Sequence, residues 1–72
     1  MKKFVLIGGW GRWEEVNGKM VIDCTVKGYY KIAESNDRDD LRESIHIEYR
    51  DDGTWHYTRI EKRAYAKSLG LS

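Results

Sequence analysis

Within Met20 to Ile32, hydrophobic and polar residues alternate with a period of two from Ile22 onward. Ile22, Cys24, Val26, Tyr30 and Ile32 fall on one side, and Asp23, Thr25, Lys27, Tyr29 and Lys31 on the other. Successive strand side chains point to opposite faces, so this order predicts one long strand, packed on one face and wet on the other. Gly28 interrupts the packed face and is expected to let the strand bend.

Before this stretch, Phe4-Val5-Leu6-Ile7 is apolar on both faces, as in a strand covered on both sides. Gly8, Gly9 and Gly11 follow, a pattern that predicts a kink before the strand continues to Val16. Asn17-Gly18 is a strong hairpin signal, because a type I′ turn needs positive φ at both central residues. A two-residue loop there sets Val16 against Lys19, Glu15 against Met20, Glu14 against Val21, Trp13 against Ile22 and Arg12 against Asp23. That register puts Trp13 with Met20, Ile22 and Cys24 on the packed side and pairs Arg12 with Asp23 on the wet side.

The alternation stops at Glu34 to Ser44. Ser35, Asn36 or Asp37 can cap a short helix over residues 36–43, with Asp39 and Asp40 at its positive end. Leu41, Ile45 and Tyr49 recur at helical spacing, yet Ile45-His46-Ile47-Glu48-Tyr49 alternates and is β-branched, which favours a strand. Arg50-Asp51-Asp52-Gly53-Thr54 suits a three-residue hairpin loop with Gly53 in the left-handed position. Tyr49 then faces Trp55, Glu48 faces His56, Ile47 faces Tyr57, His46 faces Thr58 and Ile45 faces Arg59. Apolar and polar groups separate cleanly onto two faces in this register, whereas a one-residue shift mixes them. Residues 62–69 hold good helix formers, with Tyr65 and Leu69 at helical spacing and Gly70 where a helix ends. The expected fold is α+β and mainly β, a single domain over 1–72. It is an antiparallel meander of four to five strands, as a half-open barrel or curled sheet, with an acidic helix at 36–43 and a C-terminal helix at 62–69.

Composition narrows the function. A chain of 72 residues buries only about 60% of its unfolded surface, so a deep substrate cavity is hard to hold open and dimerisation would help stability. Thirteen basic against twelve acidic residues remove the electrostatic footprint of a dedicated nucleic-acid binder. Charge is nonetheless grouped, with five acids and two bases over residues 34–43 and four bases and one acid over 59–67. Asp37, Asp39, Asp40, Arg59, Lys62 and Arg63 are thus candidates for a secondary charged surface. Cys24 is alone, which rules out an intrachain disulfide and fits a buried thiol in a reducing cytosol. No run approaches the roughly 20 apolar residues of a membrane span, and the N-terminal run is too short for a signal peptide. A complete small cytoplasmic protein is expected.

Candidate chemistry is sparse. On the polar face of the second hairpin, His46, Glu48 and His56 suit a divalent metal with an open position, or proton exchange. Gly8-Gly9-Trp10-Gly11 lacks the lysine and hydroxyl of a phosphate loop, and no serine has a base and an orienting partner. No cofactor is expected, and the chain reads as a non-enzyme. Lys27-x-Tyr29-x-Lys31 interleaves base and aromatic, with Trp10 and Arg12 expected beside it on the neighbouring strand. Such groups anchor protein interfaces, and they also stack on single-stranded nucleic acid. The leading expectation is a small binding protein, monomer or homodimer, that docks on a larger protein through Trp10, Arg12, Lys27, Tyr29 and Lys31. An inhibitor or modulator is in keeping with its size, since phage-encoded inhibitors of host complexes have this general make-up. The alternatives are a small single-strand-binding barrel and a metal protein or enzyme at His46, Glu48 and His56.

Overall fold

A computed structural model of the chain describes residues 2–71. Five antiparallel strands form an open sheet with two short helices: β1 (Phe4–Val16), β2 (Lys19–Asp23), β3 (Tyr30–Ser35), α1 (Asp39–Arg42), β4 (Ile47–Tyr49), β5 (Thr54–Lys62) and α2 (Arg63–Ser68). β1 is the axis. One of its edges pairs with β5 along Phe4–Arg12; the other pairs with β3 near its start and β2 near its end. The spatial order β2-β1-β5-β4 departs from a sequential meander where β5 returns to β1, and the sheet does not close into a barrel.

Both hairpins have the expected registers. Asn17 and Gly18 have φ of 53° and 79°, and Val16↔Lys19 through Arg12↔Asp23 pair as the two-residue loop requires. In the second hairpin, Tyr49↔Trp55, Glu48↔His56 and Ile47↔Tyr57 pair across a turn closed by the Arg50 amide on the Thr54 carbonyl. Thr58 ties the lead-in to β4 down: its buried hydroxyl donates to the Ser44 carbonyl and accepts from the His46 amide.

The long strand over 22–32 does not form. β2 ends at Asp23, whose Oδ1 accepts both the amide (2.9 Å) and the hydroxyl (2.7 Å) of Thr25, a local arrangement that competes with ladder bonding. Gly28 has a φ of 75° and closes a turn onto the Thr25 carbonyl, and β3 starts two residues later. Alternation therefore does not run through residues 24–29. Ile22, Tyr30 and Ile32 are exposed rather than packed, and Cys24 is half-buried.

The predicted kink at Gly8, Gly9 and Gly11 is instead an unbroken stretch of β1, and its glycines seat rings. A Cβ on Gly8 would lie 2.5 Å from the Tyr30 ring, on Gly9 2.9 Å from Tyr57, and on Gly11 2.6 Å from Trp55. Aromatic rings from neighbouring strands lie across bare backbone, a recognised way of covering glycine in sheets.

Each face of β1 is covered at its N-terminal end, as the doubly apolar Phe4–Ile7 run implies. Val5 and Ile7 form a core with Ala66 of α2, backed by Tyr29, Leu69 and Leu71. The end of α2 is fixed by the Leu71 amide on the Ala66 carbonyl and the Gly70 amide on the Lys67 carbonyl, the Schellman pattern. Leu6 points to the other face by alternation. There Arg38, at the start of α1, lies 5.3 Å over the Phe4 ring, and Leu41 is buried. Among the described residues no helix is long and apolar enough to cross a membrane.

Candidate functional site

The sheet face that carries α1 also carries a polar, aromatic cluster around Trp10. Trp10 stands opposite His56 on β5, and His56 stands opposite Glu48 on β4. The Trp10 and His56 rings are tilted, 4.9 Å between centroids. Lys27, from the turn that ends the β2 ladder, puts Nζ 4.5 Å from the Trp10 ring centroid. Arg50, from the β4–β5 turn, puts its guanidinium carbon at 4.6 Å. Two cations share one half-buried indole, each attracted by the ring quadrupole.

Beside them runs a hydrogen-bonded chain. The Tyr30 ring, resting on Gly8, reaches His56 Nε2 with its hydroxyl, and His56 Nδ1 lies 3.2 Å from His46 Nε2. His46 Nδ1 lies 3.3 Å from the Ser44 carbonyl, which only accepts. His46 Nδ1 must therefore donate, leaving its Nε2 to accept from His56 Nδ1 and leaving His56 Nε2 to accept from Tyr30. All four ring nitrogens are engaged while both imidazoles stay neutral. Burial, then the neighbouring His46, holds His56 below the usual histidine range, with Arg50 adding to this and Glu48 opposing it. The chain joins Tyr30, His56 and His46 in one line of proton-bearing groups. Among the described residues no three His, Cys, Asp or Glu side chains gather to hold a metal ion, so Glu48 does not complete a site with the two histidines.

The expected docking residues divide. Trp10 and Lys27 come together, and Arg12 lies on the same face, two residues along β1 and opposite Thr54. Tyr29 turns to the opposite face, where it packs on the Val5–Ile7–Ala66 core, accepts a 3.4 Å hydrogen bond from Tyr57 and lies 5.1 Å beneath the Arg59 guanidinium. Lys31 is opposite Ile7, and its Nζ is 3.8 Å from Glu34. The break at residues 24–29 is the cause, because it uncouples these positions from the parity of Lys27. The candidate charged surface is largely satisfied internally. Asp40 accepts from Ser35, Asp39 pairs with Arg42 at 3.3 Å, Arg59 with Glu61 at 3.1 Å, and Arg63 with Glu34; the Asp37 side chain accepts the Asp39 amide. Lys62 is exposed at the start of α2. Arg50 and Tyr30 were missed as cluster members. Only the pairing of β1 with β5 and of β3 with β1 brings them to Trp10 and His56, and neither pairing has a local signal in the sequence.

No protein-family model, curated protein or solved structure matches the chain.

Proposed function

We propose that this is a small non-enzymatic binding protein that docks on a larger protein, as an inhibitor or modulator, through Trp10, Lys27, Arg50 and Arg12. The observation that carries this reading is the Trp10 ring with Lys27 at 4.5 Å and Arg50 at 4.6 Å. Long basic side chains lose rotamer entropy on binding, and the indole has already ordered two of them. What the cluster offers outward is an aromatic anchor flanked by charges of both signs, Lys27 and Arg50 with Asp52 near them and Arg12 opposite Asp23, and aromatic and arginine side chains are enriched in interface hot spots. The near balance of charge, 13 basic against 12 acidic residues, favours a protein partner over a single strand. A reducing cytosol suits the free, half-buried Cys24.

The test is capture from lysate on immobilised protein, with and without nuclease, at low and high salt. A retained protein should survive nuclease and be lost on Lys27→Glu, Arg50→Glu or Trp10→Ala. Retention that disappears with nuclease assigns the site to nucleic acid, and retention indifferent to all three substitutions refutes the site.

A further inference from the structure

The sheet face that carries α2 is covered at one end only. Beyond Gly9 it presents Trp13 (53% exposed), Met20 (59%), Ile22 (52%), Ile47 (58%) and Tyr49 (73%), while Trp55 between them is only 8% exposed. The reason is the glycine seats: Trp55 and Tyr57 lie flat over Gly11 and Gly9 and make a floor. Trp13 and Tyr49 rise on either side, with ring centroids 5.9 and 6.2 Å from Trp55. Floor and walls enclose an apolar groove of about 300 Å³.

We propose that a second copy of this chain covers this face, with the two sheets stacked about a two-fold axis and each Trp13 seated against the other's groove. Domains close a core between two packed layers, and this half of the sheet is a single layer. A two-fold axis supplies the missing layer from the same surface. The area is adequate. With roughly 150–250 Å² per aromatic side chain, the exposed fractions amount to on the order of 500 Å² per copy. A pair would bury on the order of 1,000 Å², the least a specific interface needs and in the range of a weak, reversible dimer. The same patch lies near the upper end of what monomers expose, about 300–600 Å².

Charge fits an antiparallel arrangement. The one charged group lining the floor, Arg59, is 3.1 Å from Glu61 of its own strand. The hairpin end carries Glu15 on this face, and the far end of the 44 Å molecule carries Lys67 on α2. Stacking head to tail brings each Glu15 towards the α2 end of the other copy, where Glu61 and Glu34 are already paired with Arg59 and Arg63 and Lys67 is exposed. Trp10 and its cations lie on the opposite face and stay free, so the dimer displays two docking sites.

Sedimentation over on the order of 1–200 µM tests this. The expected result is a species of twice the 8.5 kDa chain mass. Tyr49→Lys and Ile22→Lys, both at exposed positions, should weaken self-association at least about tenfold with an unchanged circular dichroism spectrum, while Lys27→Glu leaves it unaltered. In an isotope-filtered NMR experiment on the wild-type dimer, Trp13 protons should show contacts to groove residues of the other copy. A wild type that stays monomeric throughout overturns the proposal, including the case in which the face serves a different protein. So does a dimer indifferent to Tyr49→Lys and Ile22→Lys, one dissociated by Lys27→Glu, or one without those contacts. Loss of lysate binding in Lys27→Glu with dimer mass intact separates the two surfaces.

Discussion

Gly11→Ala should destabilise the fold through a single ring. The added Cβ would sit 2.6 Å from Cε2 and Cζ2 of Trp55 and 2.9 Å from its Nε1, inside any real contact distance. The obstacle is a rigid bicycle flanked by Trp13 and Tyr49, so it can yield only by lifting off the strand into the groove. Overpacking of this kind costs about 1–3 kcal/mol, and the lower unfolded-state entropy of alanine returns about 0.4–1 kcal/mol. At the middle of both ranges the net loss is about 1.3 kcal/mol, which for a chain of this size lowers Tm by roughly 5–10 °C.

Urea unfolding followed by tryptophan emission measures this loss directly, and a red shift of the native spectrum would report the displaced Trp55. Gly18→Ala supplies the contrast. Nothing lies within 4 Å of its Cβ position, and its cost comes only from the φ of 79°, so stability falls without a change in native emission. The double substitution Gly11→Ala with Trp55→Leu should show coupling, because removing the ring removes the clash. If Gly11→Ala is as stable as wild type, or if the two changes are additive, the glycine is not a ring seat and the groove floor is wrongly explained.

Thr58→Val should cost about 1–3 kcal/mol, since it strips the His46 amide and Ser44 carbonyl of their hydroxyl partner; hydrogen exchange should show the Ser44–Tyr49 segment loosening first. Stability should fall as pH drops below about 6.5. His56 is held below its unfolded value, so the unfolded chain binds the proton more readily, and its contribution is complete above the unfolded pKa and lost on acidification through the folded one. Tyr30 (β3), His46 (before β4), Glu48 (β4) and Arg50 (β4–β5 turn) face His56 directly, with Lys27 beyond Trp10. Thermal melts at pH 7.5 and 5.0 should separate by less in His46→Gln than in wild type, and an equal separation would remove the pair from the account. Tyr30→Phe should raise the His56 titration midpoint seen by NMR, because the hydroxyl donates to the neutral ring; a fall would reverse the direction of the hydrogen-bonded chain.

How far the residues foretold this arrangement depended on where the governing forces act. Asn17-Gly18 and Asp51-Asp52-Gly53 specify turn geometry locally, and turn geometry fixes register, so the five pairs of the first hairpin and the three nearest the second turn followed, while Ile45 stays out of the ladder with its amide on the Arg42 carbonyl. Helix positions came within a few residues for a similar reason: acidic first-turn residues and Gly70 act within one turn. Alternation over 22–32 misled, because Asp23 and Thr25 offer the backbone a closed local arrangement that a period-two pattern cannot register. The glycines of β1 misled differently. Their role lies in rings supplied from 20 or more positions further along the chain, and a glycine expected to bend a strand is indistinguishable in sequence from one that receives an aromatic.

That distinction also decides what the exposed hydrophobics mean. Trp13 and Trp55 share a face, as the two registers require, yet one is open and the other shielded. Shielding comes from the Gly11 seat and not from a covering layer, so Trp55 owes its burial to the sheet itself. Had a helix covered this half of the face, Trp13, Ile22 and Tyr49 would have been buried with it. Their exposure beside a closed floor is what a single sheet layer gives when the chain's helices are spent at the other end, α2 on Val5 and Ile7 and α1 beside Phe4. The Trp10 cluster differs in kind, because its indole is occupied by cations and needs no apolar cover. If a larger protein docks over Trp10 and a second copy over Trp55, as proposed, substitutions on one face should leave binding at the other unchanged.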